Sequence, residues 1–177
     1  EHTDRNKEIA VKRHSAYSLP NDLHYVFYPS LIKSMLEKNF DLFHAHSYGY
    51  FHVNTTAFIK HIKDKPFVLT PHYHPEWSMW GGKKRKFIRK FYDSIFAQRV
   101  IDSTDRIIGV SQNEINLLSK RLNVPSEKVR IIPNGIDPEK FSPIPDGEIF
   151  KEKFNLDANI VLYTGRLASN KGLLNLV

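Results

Sequence analysis

Between Asp41 and Ile132 the chain alternates short, uninterrupted apolar runs with longer segments whose apolar residues recur at helical spacing. Nothing else in it restricts the fold as strongly. The runs Asp41-Leu42-Phe43-His44-Ala45, Pro66-Phe67-Val68-Leu69-Thr70, Asp105 to Val110 and Val129 to Ile132 are too short for helices. They are apolar on successive residues rather than alternate ones, as in strands buried on both faces. Tyr50 to Ile62 carries Val53, Ala57, Phe58 and Ile62 at a helical period. Phe87, Phe91, Ile95, Phe96 and Val100 form an apolar stripe on a helix of about five turns, predicted to dock on a sheet face. Ser111 caps a further helix that turns Ile115, Leu118 and Leu122 to the core. Ahead of these, Pro29-Ser30 opens a helix with Leu31, Ile32, Met35 and Leu36, running to about Lys38. Strands that alternate with amphipathic helices predict an α/β fold, a doubly wound Rossmann-like parallel sheet.

Val129 to Phe141 reads as a strand followed by a joint. Val129, Ile131 and Ile132 suit a strand, Pro133 ends it for want of an N–H, and Asn134-Gly135 signals a turn. Asp137-Pro138 reads as an N-cap with proline at the first helical position, and Pro143 and Pro145 stiffen the next few residues. Beyond them, Glu148 to Phe154 reads as a helix, Ile160 to Tyr163 as a strand and Gly172 to Val177 as the start of a helix. Two domains are therefore expected: 1–142, and 143–177 as linker and start of a second, truncated Rossmann-like domain. Glu1 to Lys12 is polar, with a strand hint only at Glu8 to Val11. The chain opens without methionine and stops inside an apolar, helix-like run. Both ends therefore read as cut, with the first strand of the leading domain missing.

With 177 residues, 41% of them hydrophobic, the chain can bury a sizeable core. No cysteine is present, which excludes disulfides and thiol catalysis. No apolar run approaches the roughly 18 residues needed to span a bilayer, and a cytoplasmic location is the default expectation. The net charge of +7 favours anionic partners such as phosphates, nucleic acid or acidic lipid, although a solvated lysine-rich surface gives the same total.

Parallel α/β sheets bind ligands outside the carboxyl ends of their strands. Those positions read His44-Ala45-His46-Ser47, Thr70-Pro71-His72-Tyr73-His74, Gly109-Val110-Ser111, Pro133-Asn134-Gly135 and Thr164-Gly165-Arg166. In the last, a strand ends at Gly165, Arg166 and Lys171 stand five residues apart, and Gly172 opens a helix. Free amide groups at a helix start, with two cations, suit a diphosphate; a surface loop with ordinary glycine turns would read the same. The pairs His44/His46 and His72/His74 invite a metal reading, but zinc sites take three or four ligands and these pairs lie on separate strands, so no metal is expected. Gly109-Val110-Ser111-Gln112 lacks the nucleophile-elbow pattern. Trp77 and Trp80 precede the run Lys83, Lys84, Arg85 and Lys86, with Arg89 and Lys90 after it. Cations at a helix start oppose the macrodipole, so local stability does not account for them. Basic residues beside tryptophans suit an anionic membrane surface; nucleic acid has no recognised binding module to support it.

Together, D-L-F-H-A-H, L-T-P-H-Y-H, D-S-T-D-R-I-I-G-V-S-Q-N-E, I-I-P-N-G-I-D-P-E-K-F-S-P and Y-T-G-R-L-A-S-N-K-G resemble glycosyltransferase family four, in order and spacing, from about Asp41 onward. The resemblance implies a retaining enzyme of the two-domain GT-B fold. It would transfer a sugar from a nucleotide-diphosphate donor, UDP- or GDP-linked, to a sugar or lipid-linked acceptor hydroxyl, with no further cofactor. The leading domain would take the acceptor side. Arg166 and Lys171, with Gly165, would hold the donor diphosphate, and His72 would orient the transferred sugar. His46, Asn134 and Ser111 are candidates for acceptor or sugar contacts. Some lipid-acceptor members bind membranes peripherally, which adds to the reading of Trp77, Trp80 and Lys83 to Lys86 as a membrane contact at the cytoplasmic face. The family's glycine-rich loop is not recognisable before Ile9, and its paired glutamates are expected beyond Val177, so this piece alone is expected to be inactive. A nucleotide-sugar epimerase of the same fold, or a non-catalytic module binding anionic membrane or nucleic acid, are the alternatives.

Overall fold

Strands that are apolar on successive residues need neighbours on both sides, and the computed structural model shows four of them paired in parallel. It describes residues 2–6, 9–18, 26–75, 82–143, 146–165 and 172–175. The chain divides into two compact units, Glu1–Asn134 and Gly135–Val177. The first begins with an antiparallel hairpin, β1 (His2–Asn6) and β2 (Ile9–Arg13), and a two-residue ladder, β3 (Tyr17–Ser18) with β4 (Val26–Phe27). There follow α1 (Ser30–Glu37), β5 (Phe43–His46), α2 (Phe51–Lys63) and β6 (Phe67–Thr70). A long helix then comprises α3 (Gly82–Tyr92), a π-helical stretch (Asp93–Ala97) and α4 (Gln98–Ser103). β7 (Arg106–Gly109), α5 (Gln112–Ser119) and β8 (Val129–Ile131) complete the unit. The sheet order is β5-β6-β7-β8, parallel throughout, with helices flanking it: a Rossmann-like α/β domain.

Register explains the core. Phe43 lies opposite Phe67, Ala45 opposite Leu69 and Leu69 opposite Ile107, so these side chains share one face, and all are buried. Val53 and Ile59 of α2, Val100 and Ile101 of α4, and Ile115 and Leu118 of α5 close over the same cluster. Asp105 ties the start of β6 to α2, accepting hydrogen bonds from the Phe67 amide and Lys60 Nζ, both at 2.7 Å.

Two helical faces differ from the sequence expectation. On α2, Phe58 and Ile62 point to solvent and Ile59, with Thr55 and Thr56, takes the core side. On the long helix, Phe87, Phe91 and Phe96 are exposed (72%, 54% and 46%) while Ala97, Val100 and Ile101 are buried. The π stretch inserts a wider turn that breaks the 3.6-residue phase of the stripe. The inward face N-terminal to Ala97 is moreover held by a polar group, Arg89 with Asp93, rather than by phenylalanine.

The joint also departs from expectation at one point. β8 stops at Ile131, Ile132 N donates to Gly109 O at 2.9 Å, and Pro133 ends the ladder. Asn134-Gly135 then makes no turn: residues 132–137 show neither turn nor bend, and Gly135 is not among the glycines of positive φ. Prolines on either side hold this segment open. Asp137 does cap, accepting from Glu139 N at 3.2 Å, with Pro138 opening a 3₁₀ turn (Pro138–Phe141). In the second unit α6 (Glu148–Phe154) forms, but Ile160 to Tyr163 is not a strand. Its backbone would need a ladder partner, and no strand is described in that unit. Gly172 is followed by a 3₁₀ turn (Leu173–Asn175); Leu176 and Val177, where the predicted helix would continue, lie outside the described residues.

Two residues bring the strand ends together. Gly109 has no side chain because α5 packs against it: a Cβ there would lie 2.4 Å from Ile115 Cγ1. Glu114, buried in the first turn of α5, accepts from Tyr73 N through Oε1 (2.8 Å) and from Val110 N through Oε2 (2.7 Å). One carboxylate thus satisfies the backbone of the loops after both β6 and β7. Glu114→Gln keeps the shape but turns an NH2 toward one of two N–H donors. Leaving one buried amide unpaired should cost about 1–3 kcal/mol in urea unfolding, with an unchanged m value; an unchanged midpoint would contradict the clamp.

Candidate active site at the strand ends

Two loops, leaving β5 and β6, are stitched to each other. Ser47 N donates to Thr70 O at 2.9 Å, and Tyr48 N donates to Pro71 O at 2.6 Å. Ser47 (φ 74°) and His72 (φ 45°) both adopt left-handed backbone, which costs a non-glycine residue about 1–3 kcal/mol. Among the described residues two others do so, Asp64 and Asn155, and both are helix C-caps, where that conformation is routine. Ser47 and His72 have no such role. Their strain is confined to the strand ends, where it aims side chains into one space.

Four histidines gather on this side of β5. His44 Nε2 and Thr70 Oγ1 are hydrogen-bonded at 2.8 Å, and His46 Nδ1 and His72 Nε2 at 3.1 Å, with the latter two rings stacked at 5.3 Å. His52 Nε2 donates to His46 O at 2.5 Å, so in the neutral ring Nδ1 accepts from Tyr28 OH, also at 2.5 Å. Burial holds the pKa of His44 below its ordinary value. Burial does the same for His46, reinforced by the neighbouring His44, His72 and His52. His44 and His46 are therefore neutral at neutral pH, each offering one donor and one acceptor. Among the described residues no group of three or more His, Cys, Asp or Glu is placed to hold a metal ion.

Behind His72 lies a small pocket of about 120 Å³, lined by Ser47, Tyr48, Tyr50, His72, Tyr73, His74 and Arg89. Its floor is an ionic network. Asp93 Oδ1 accepts from Tyr48 OH (2.6 Å) and pairs with Arg89 Nε (3.1 Å), while Oδ2 pairs with Arg121 Nε (2.5 Å). The Arg89 guanidinium sits 4.2 Å over the Tyr48 ring. Burial, then the hydrogen bond to Asp93, pushes the Tyr48 hydroxyl far above its ordinary pKa, so it stays protonated. The His44, His46 and His52 rings also line an apolar groove of about 480 Å³, together with Met35, Phe40 and Phe43.

The structure brings His46 and His72 together. Ser111 is set apart: its Oγ accepts from Glu114 N as the N-cap of α5. Asn134 is exposed in the open segment after β8, and neither residue lines the pocket. Gly165 is exposed in the second unit. Arg166, Lys171, Trp77 and Trp80 lie outside the described residues. Lys83 and Lys86 are exposed on α3; Lys84 and Arg85 belong to the same helix. Arg89 is separated from that basic run by turning inward. Sequence reasoning passed over Glu114 and Asp93, which build the site, and counted Arg89 with the basic run. Glu114 was signalled by Ser111-Gln112-Asn113-Glu114, a capping-box pattern, although its carboxylate reaches Tyr73 and Val110 instead of the cap amide. Arg89 and Asp93 were signalled by an i,i+4 pair of opposite charge inside an otherwise apolar stripe.

Similarity to known proteins agrees with this layout. Over 118 residues the chain is 25% identical to mannosylfructose-phosphate synthase of Agrobacterium fabrum, covering 58% of the chain and 26% of that protein. Over 148 residues it is 28% identical to UDP-Gal:alpha-D-GlcNAc-diphosphoundecaprenol alpha-1,3-galactosyltransferase of Escherichia coli, covering 80% of the chain and 36% of that protein. The chain thus spans well under half the length of either relative. Residues 2–140, which include every strand of the sheet and both stitched loops, match the model of Glycosyltransferase Family 4, and the chain belongs to that family.

Proposed function

We propose that the intact protein is a retaining glycosyltransferase that moves a hexosyl group from a nucleotide-diphosphate sugar to an acceptor hydroxyl, on the cytoplasmic side of a membrane. The observation that carries this reading beyond family membership is His72. It stands at the carboxyl end of β6 in left-handed backbone, its ring hydrogen-bonded to a neutral His46, beside a pocket with hydroxyl and guanidinium groups. In the reaction the acceptor oxygen forms a bond to the anomeric carbon. The bond from that carbon to the donor phosphate breaks, its electron pair leaves with the nucleoside diphosphate, and the proton of the acceptor hydroxyl passes to an oxygen of the departing diphosphate. His72 would hold the transferred sugar by a hydrogen bond. Arg166 and Lys171 would bear the charge that grows on the departing diphosphate, a contribution of about 3–4 kcal/mol for each well-placed donor. The names of the two relatives support a donor linked to a nucleotide and an acceptor bearing phosphate: one includes UDP-Gal and a diphosphoundecaprenol, the other a sugar phosphate.

Contact with an anionic membrane fits the same reading. No helix among the described residues is long and apolar enough to cross a membrane. On α3, however, exposed Lys83, Lys86 and Lys90 are interspersed with exposed Phe87, Ile88 and Phe91. Aromatic rings beside cations suit insertion at a headgroup layer, each cation near the surface adding about 1 kcal/mol. In the sequence, Trp77, Trp80, Lys84 and Arg85 stand next to these residues.

The direct test of transfer is acceptor-dependent release of nucleoside diphosphate by the full-length protein over a panel of UDP- and GDP-sugars, with the product's anomeric configuration read by NMR. His72→Ala should lower turnover about 100-fold while nucleotide affinity and unfolding midpoint hold. His72→Gly, which relieves the left-handed strain, should be equally slow and no less stable; wild-type turnover in either variant would sink the role given to His72. For the membrane surface, cosedimentation with phosphatidylserine vesicles should be strong at 50 mM salt, weak at 500 mM and reduced by Lys83→Glu/Lys86→Glu. Binding indifferent to both salt and charge reversal would remove that reading.

A further inference from the structure

Beside His72, a cation is built into the wall of a pocket whose other lining groups are hydroxyls, rings and imidazoles. The Arg89 side chain is only 10% exposed, yet it lines the pocket. Its guanidinium carbon lies 4.2 Å from the Tyr48 ring centroid and 5.8 Å from that of Tyr92, contacts that hold the group in place. Gly49, at φ 82°, makes room for it: a Cβ there would come within 2.9 Å of Arg89 Nη1. From behind, Arg89 Nε pairs with Asp93, and Arg121 pairs with the other oxygen of the same carboxylate. The guanidinium is therefore braced from one side while part of it faces the pocket. The other lining residues are Ser47, Tyr50 and Tyr73 with hydroxyls, His72 and His74 with imidazoles, and Tyr48, whose hydroxyl donates to Asp93; no carboxylate is among the described lining residues. A fixed guanidinium, with hydroxyls and imidazoles around one space, forms a donor set suited to an oxyanion. A volume of about 120 Å³, the share of roughly four waters at ~30 Å³ each, admits a tetrahedral oxyanion.

We infer that this pocket is a phosphate subsite for the acceptor, in which Arg89 and the Ser47 and Tyr50 hydroxyls hold a phosphate monoester or diphosphate borne by the molecule that receives the sugar. The word acceptor rests on the transferase reading; phosphate binding does not. The phosphate would anchor the acceptor next to His72, so that its hydroxyl meets the transferred sugar in a fixed direction. A guanidinium held against tyrosine rings is pre-organised for that task and loses little freedom on binding.

The test is calorimetric titration of the full-length protein without any nucleotide sugar, using inorganic phosphate, a hexose, the same hexose 6-phosphate and a short-chain polyprenyl diphosphate in detergent. A phosphate-bearing ligand should bind at least tenfold tighter than the hexose, inorganic phosphate should compete with it, and Arg89→Gln should remove that advantage. Which of the hexose phosphate and the polyprenyl diphosphate gains more identifies the source, and either gain supports the subsite. Equal binding of hexose and hexose phosphate, or an advantage that survives Arg89→Gln, overturns it. Because Arg89 also braces the network, the second readout uses the wild-type protein: phosphate should shift the imidazole proton resonances of both His72 and His74, and a titration that moves neither overturns the subsite. Phosphate binding in a protein that never releases nucleoside diphosphate would overturn the transferase reading and leave the subsite standing.

Discussion

Glu114 is a buried carboxylate whose oxygens face backbone amides from two different loops. The loops leaving parallel strands have amide groups that no ladder satisfies, and burying them unpaired is costly. One carboxylate in the first turn of α5 meets both demands, in a position that the positive end of the helix favours. Close approach of α5 to the sheet is what brings it within reach, and Gly109 permits that approach. With Tyr73 N fixed to Glu114, and Ser47 N and Tyr48 N fixed to the backbone of Thr70 and Pro71, the backbone of His72 has little freedom left. Its left-handed conformation is sustained by neighbours on both sides of it.

The same economy appears on the long helix. A helix docking on a sheet normally gives its inward face to large apolar residues, and here part of that face goes to Arg89 and Asp93. The exchange puts a fixed cation beside His72 and leaves Phe87, Phe91 and Phe96 facing solvent. Local hydrophobic burial is lost so that a charged pocket can be built at the carboxyl ends of the strands, the place where parallel sheets hold their ligands. The exposed rings of Phe87 and Phe91 share α3 with the exposed Lys83 and Lys86.

The sheet was legible chiefly from β6, where Phe67 to Leu69 are apolar on every residue; β5 instead alternates, with Phe43 and Ala45 buried and His44 and His46 exposed. His46 and His72 were put forward by their position at strand ends together with the family resemblance, and the structure stacks their rings at 5.3 Å. The orientation of the long helix was not legible. Periodicity assumes a constant 3.6-residue turn, and the π stretch at Asp93–Ala97 breaks it. Nor can periodicity reveal that a salt bridge will take the inward face. Asn134-Gly135 illustrates the limit of turn signals: the dipeptide permits a turn, but flanking prolines and the lack of an opposing strand leave it open. Ile160 to Tyr163 has strand composition and no partner among the described residues, and a strand is a property of a pair.

If the strand-end loops are clamped as described, the amides of Tyr73 and Val110 belong to the core although they lie in loops. Amide hydrogen exchange measures this residue by residue. Both amides should exchange as slowly as those of Leu69 and Ile107 in the wild-type protein. Exchange of Tyr73 and Val110 at the rate of exposed loop amides would show that Glu114 does not hold them, and would remove the support on which the position of His72 depends.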